Sequence, residues 1–137
     1  MIDKFEGKYR WLSNFWESPI WYEAARYPSV EHAYQAAKTF DEERREKIRL
    51  AKDAKVAKRM GKSVVLRPDW DKVKIGIMRQ LVASKFEDQE LRDKLIETGN
   101  QELAEGNWWG DTFWGICDGE GENWLGRILM DERKKWL

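Results

Sequence analysis

No disulfide can close within this chain, because Cys117 is its only cysteine. Histidine is equally scarce. His32 stands alone, which excludes the zinc sites that need several Cys or His ligands. A nucleophilic Cys–His pair would have to be Cys117 with His32, and neither lies in a recognisable nucleophile motif. Long apolar runs are missing too, so no transmembrane span or signal peptide is expected, and the default location is cytoplasmic. No Gly-rich phosphate loop and no alternation of strands with helices is present, which argues against a Rossmann or P-loop domain. Net charge sums to +0 over 137 residues, a length that suits one domain, 1–137, with a real core.

What is present is unevenly spread. Arg44 to Lys62 holds nine basic residues against two acids, while Glu87 to Glu122 holds eleven acids against Arg92 and Lys94. Solvated helix faces produce such runs; a phosphate-bearing partner on the basic side is the sharper alternative. Nine tryptophans are the compositional excess. The run from Trp108 to Trp114 is too crowded with rings for all of them to face inward, and rings left outside suit stacking on a base or a sugar.

Short strands and turns are expected before Pro28. From Ser29 a helix is expected: Ser29 is a good N-cap, and Val30, Ala33, Tyr34 and Ala37 recur at helical spacing. One or two charged helices follow from Asp41 to about Lys62, ending near Gly61. Asp69 should cap a further helix with Trp70, Val73, Ile77 and Leu81 on one face. Another should run from about Asp88 to Thr98 and stop at Gly99. Asn107 to Glu122 reads as an ordered loop, with a β element around Phe113 to Cys117. The last helix begins near Asn123 and should carry Leu125, Ile128, Leu129 and Trp136 inward. The fold class is therefore mostly α with a small β element, as a single compact domain.

On a helical wheel starting at Val30, the residues Glu31, Gln35 and Lys38 gather on the shoulder of the apolar stripe, and His32 points away from them. A shoulder is where a polar group can line a cleft. It is equally where a first-turn glutamate supports the helix dipole and pairs with a glutamine four residues on.

Here the residues carry a resemblance. Leu12-Ser13-Asn14-Phe15, Pro28 to Lys38, Trp70-Asp71 with Met78, and Lys85-Phe86 are similar to successive motifs of the NADAR family. Leu95 to Gly99, Glu105-Gly106-Asn107, Trp109-Gly110-Asp111, Gly121 to Gly126, Leu129-Met130 and Arg133 continue the series in family order across nearly the whole chain.

The resemblance implies a compact α-rich fold and cleavage of N-glycosidic bonds. Family substrates include phosphorylated early riboflavin-pathway intermediates and ADP-ribose attached to guanine in nucleic acid. The expected partner is accordingly a phosphorylated ribosyl small molecule or ADP-ribosylated guanine nucleic acid, with no membrane, no metal and no cofactor. A module that binds NAD- or ADP-ribose-like ligands without turning them over is the alternative class.

Breaking a base from ribose builds positive charge on the sugar, which a fixed carboxylate stabilises, and a positioned base activates water. Glu31 and Asp111 match the family's acidic positions. Trp70 matches an aromatic position where a ring would stack on the departing base. Lys38 is a phosphate contact or, if desolvated, a Schiff-base amine; Lys85 competes for either role. Ser13 and Asn14 suit ribose hydroxyls or a turn. Asn123 suits the same hydroxyls or a helix cap. Gln35 and Trp109 complete the expected binding residues, with Gly110 and Gly126 allowing close approach or serving turns and packing. Arg133 suits a phosphate or a local ion pair.

Overall fold

The structure, a computed structural model, describes all residues from Met1 to Leu137. Contacts gather them into two units, one from Asn14 to Lys85 and the other joining Met1–Ser13 to Phe86–Leu137. The fold is mostly helical with small β elements, as the sequence implies.

The unit 14–85 opens with a hairpin of β1 (Glu17–Tyr22) and β2 (Ala25–Ser29), antiparallel, with Ile20 opposite Tyr27 and Tyr22 opposite Ala25. Its reversal is Glu23-Ala24, at φ of 46 and 65, the left-handed pair that a two-residue hairpin turn requires. Neither residue is a glycine, so the turn needs support. Arg45 supplies it, reaching the Glu23 carboxylate at 2.8 Å and the Thr39 carbonyl at 2.7 Å. Helices α1 (Val30–Ala37), α2 (Glu42–Arg49), α3 (Ala54–Gly61) and α4 (Trp70–Lys85) complete the unit. Ser29, Asp41 and Asp53 cap the first three through their side chains, each accepting from a backbone N–H of the first turn.

Helix α1 is the hub of that unit. Both strands and α2, α3 and α4 pack on it, and Ala33, Ala36 and Ala37 keep its surface low enough for this. All eight of its residues are buried. The wheel turns His32 away from Glu31, Gln35 and Lys38, and its ring bonds none of them. It is 1% exposed and locked between the Ser29 hydroxyl at 2.7 Å and the Ala51 carbonyl at 3.1 Å. A carbonyl only accepts, so Nε2 carries the proton and Ser29 donates to Nδ1.

The charged helices end at Gly61, as expected; it is the last helical residue, and Lys62 takes the cap position. The Asp69 carboxylate is engaged by Arg67 through Nε at 2.7 Å and Nη2 at 3.1 Å, just before α4 begins.

The second unit contains a 3-10 helix (Gly7–Leu12), α5 (Gln89–Glu97), the two-residue strands β3 (Gly106–Asn107) and β4 (Ile116–Cys117), and α6 (Trp124–Lys134). Its core holds Leu12, Phe86, Leu95, Leu103, Leu125, Ile128 and Leu129. Asp88 caps α5 by accepting from Leu91 N at 3.0 Å, and Gly99 follows at φ +65, as a helix stop requires. β3 and β4 pair in parallel, which places the expected β element at its C-terminal end. Trp136 is 44% exposed rather than inward, covered on one face by the Arg92 guanidinium at 4.3 Å from the ring centre. No helix is long and apolar enough to cross a membrane.

Candidate active site

Glu31 follows directly from the β2–α1 junction. Its N–H, one of the unpaired donors of a helix start, bonds the Asn14 carbonyl at 3.0 Å, so the loop before β1 closes over the start of α1. The side chain is 8% exposed, and its Oε2 accepts from Gln35 Nε2 at 2.6 Å, one helical turn on. That short bond fixes the Gln35 amide, because only its nitrogen can face a carboxylate. The Gln35 Oε1 is consequently left buried with no hydrogen-bond partner.

Asn14 repeats the pattern. Its Nδ2 lies 3.6 Å from Met78 Sδ, a weak acceptor, and its Oδ1 is buried without a partner. A buried carbonyl oxygen without a donor costs free energy unless a ligand supplies one.

Lys38 stands at the C-terminal end of α1, its ammonium 5.4 Å from the centre of the Tyr34 ring, which in turn tilts against Trp70 at 5.3 Å. Burial holds the Lys38 ammonium below the usual lysine range; Glu31 opposes that shift, and Lys58, Lys62 and Lys74 reinforce it. Like charges collected in this way are costly, and a bound anion relieves them. Trp70 is 6% exposed, so its ring backs Tyr34 rather than offering an open face in this conformation. Lys85, at the end of α4, is 2% exposed, and burial pushes its ammonium down to about 7.

The remaining expected residues lie in the second unit. Asp111 holds its own loop together: Oδ1 accepts from Phe113 N at 3.1 Å and Trp114 N at 2.9 Å, while its N–H and carbonyl are both bonded by the Asn107 amide. Trp109 is 46% exposed and edge-on to the exposed Trp108 at 5.7 Å. Gly110 sits at φ +86 with open space where a Cβ would lie, which makes it a turn glycine. Ser13 closes the 3-10 helix, its N–H bonding the Arg10 carbonyl.

Asn123 starts α6 in a left-handed backbone, and its side chain does not cap the helix. Instead Oδ1 accepts from Glu105 N and Nδ2 donates to Leu103 O, both at 3.0 Å. Gly126 packs on that clamp, since a Cβ there would lie 2.1 Å from Leu103 O. Arg133 is buried and donates to Thr98 Oγ1 at 2.9 Å. A cleft of about 290 Å³ in this unit is lined by residues that include Lys8, Trp11, Lys94 and Thr98, and by none of the expected site residues. No three His, Cys, Asp or Glu side chains gather as a metal would require.

Sequence reasoning missed Tyr34 and the lysines Lys58, Lys62 and Lys74 as groups acting on Lys38. Their spacing was visible, but a tyrosine on the apolar stripe reads as core and a lysine run reads as a solvated face.

Known proteins complete the comparison. Residues 2–136 match the NADAR domain. The N-glycosidase YbiA of Shigella flexneri is 40% identical over 128 residues, covering 90% of this chain and 79% of that protein. A riboflavin biosynthesis protein of Vibrio vulnificus is 39% identical over 128 residues, covering 90% of this chain and 35% of its own length. The NMR structure of Escherichia coli YbiA aligns with a TM-score of 0.85 at 37% identity, covering 98% of this chain and 86% of that one. The order of motifs, the helical fold around α1 and these matches lead to one assignment: the chain belongs to the NADAR family.

Proposed function

We propose that this chain hydrolyses the N-ribosidic bond of a phosphorylated early riboflavin-pathway intermediate, with Glu31 as the carboxylate at the reacting sugar. It is an enzyme of the N-glycosidase class, the activity for which its relatives are named. One observation carries the residue assignment: the Glu31 carboxylate is nearly buried and oriented by the 2.6 Å bond from Gln35.

As the C1′–N bond lengthens, its electron pair leaves with the base and positive charge spreads over C1′ and the ring oxygen. A carboxylate fixed nearby stabilises that charge, and can take the proton of the water that adds to C1′. Asn14 Oδ1, buried and unpartnered, suits a ribose hydroxyl as donor. Lys38, with Lys58, Lys62 and Lys74 contributing to its field, suits the phosphate. Lys85 offers a second route. Its ammonium, pushed down to about 7, is half deprotonated near neutrality, so the free amine can add to C1′ of the ring-opened N-riboside, itself an imine, and expel the amine of the base, which takes up the proton; water then hydrolyses the lysine imine and releases the sugar.

The test follows base release from the phosphorylated intermediates, their dephosphorylated counterparts and ADP-ribosylated guanine in DNA. Preference for the phosphorylated small molecules is expected; preference for the DNA would favour the exposed basic faces of α2 and α3 as a backbone-binding surface. Glu31→Gln should lower the rate about 10²–10⁴-fold while the protein stays folded. A folded variant with near-normal turnover returns Glu31 to support of the helix N-terminus, worth only about 0.3–1 kcal/mol. Borohydride trapping of a sugar–protein adduct separates the Lys85 route from direct attack by water.

A further inference from the structure

Gly61 ends α3 with helical backbone, so nothing in its own conformation calls for glycine. Alanine is the better helix former there. Its surroundings explain the choice. A Cβ built on Gly61 would lie 1.8 Å from Gln35 Oε1, 2.6 Å from Cδ and 3.0 Å from Cβ. Ordinary contact starts at 3.4 Å, so the Gln35 amide occupies the volume that a side chain at 61 would fill.

That amide has little freedom to move aside. Gln35 is 3% exposed on a helix enclosed by its neighbours, and its nitrogen is committed to Glu31. The unpartnered Oε1 sits where a Cβ of residue 61 would be, a place a free amide would not choose, because it leaves a buried acceptor unsatisfied. The orientation is the one in which Nε2 reaches the carboxylate.

We propose that Gly61 is a positioning residue for the N-glycosidase reaction: its missing side chain is the seat that holds the Gln35 amide in donation to Glu31. This rests on the reading that Glu31 serves the chemistry. Gly61 touches no reacting atom and acts through Gln35 alone, so a methyl group at 61 dislodges the amide, frees the carboxylate to swing, and leaves the helix intact.

The experiment measures kcat, KM and thermal midpoint for Gly61→Ala, Gln35→Ala, the Gly61→Ala/Gln35→Ala double variant, Glu31→Gln and Gly76→Ala. Gly76 is the control, a glycine exposed on α4 with nothing within 4 Å of a built Cβ. Gly76→Ala should keep normal turnover. Gly61→Ala should lose about 10²-fold in kcat, the scale expected when a catalytic group is misplaced by about 1 Å. The double variant should match Gln35→Ala in rate, because the residue through which Gly61 acts is already gone.

The outcomes divide cleanly. Gly61→Ala with normal kcat overturns the proposal when Glu31→Gln is impaired; so do losses that multiply in the double variant. If Gly61→Ala fails to fold, a folded double variant with the rate of Gln35→Ala supports the seat, and an unfolded one overturns it. If Glu31→Gln itself turns over normally, the assignment of Glu31 fails and the positioning role falls with it.

Discussion

Lys85→Met should make the protein more stable at neutral pH, and the gain should shrink as pH rises. The side chain is 2% exposed, and burial lowers its ammonium from 10.5 in the unfolded chain to about 7 in the folded one. Between those values the unfolded state binds more protons than the folded state, so folding stability rises with pH. The cost of burying this amine is complete below about pH 7 and gone above the ordinary lysine value. At 1.36 kcal/mol per pH unit, it comes to about 4 kcal/mol at pH 7 and about 2 kcal/mol at pH 9. Methionine keeps the alkyl stem and nearly the volume, so little packing is lost. Urea unfolding of both proteins at pH 7 and pH 9 measures the difference. The variant should lead by about 4 kcal/mol at the lower pH and by about 2 kcal/mol at the higher, with equal m-values. A lead that does not change with pH refutes the reasoning, because the lysine would then be charged in the fold, or accessible enough to titrate normally. If the amine also acts on the sugar, the stabler variant will be the inactive one.

Asp111→Asn keeps the Oδ1 acceptor for Phe113 and Trp114 N–H, so thermal stability should hold, whereas Asp111→Ala should cost about 1 kcal/mol. Lost turnover in a stable Asn variant would give the charge a chemical role beyond the turn. Asn123→Ala removes partners from Glu105 N and Leu103 O and should cost about 2–3 kcal/mol in denaturant unfolding. Lys58→Ala/Lys62→Ala should raise KM for a phosphorylated substrate more than for its dephosphorylated counterpart; equal effects on both would count against a phosphate role.

Helix α1 and its polar shoulder were readable because the signals are local. Ser29 caps, Pro28 precedes, and the 3.6-residue period sets Glu31 and Gln35 one turn apart, where they do bond. The wheel turned His32 away from that shoulder but could not name its partner, because a wheel describes one helix and the Ala51 carbonyl comes from the segment after α2. Lys85 was legible only as a family match. Residue type argues for the surface, and its desolvation comes from tertiary packing that no local pattern encodes. Asn123 misled in the same way. Asn before an apolar run normally means a cap, but a left-handed backbone turned its amide onto Leu103 and Glu105.

Two polar residues of α1 then say different things about purpose. His32 is the satisfied case: both ring nitrogens are bonded, its N–H meets Ser29 Oγ, and a fold needs no further reason to keep it. Gln35, three residues on and equally buried, is not satisfied, since its Oε1 lacks a partner. A residue serving stability alone would be better replaced there by an apolar side chain of similar volume, which would remove the unpaired acceptor. Arg45 shows that one unpaired nitrogen is tolerable when the others hold structure, because it ties Glu23 and Thr39. Gln35 has no such structural return; its side chain bonds only Glu31, and α3 carries a glycine to make room for it. The cost is accepted at the carboxylate, which supports the proposed part of Glu31 in the chemistry over mere support of the helix start.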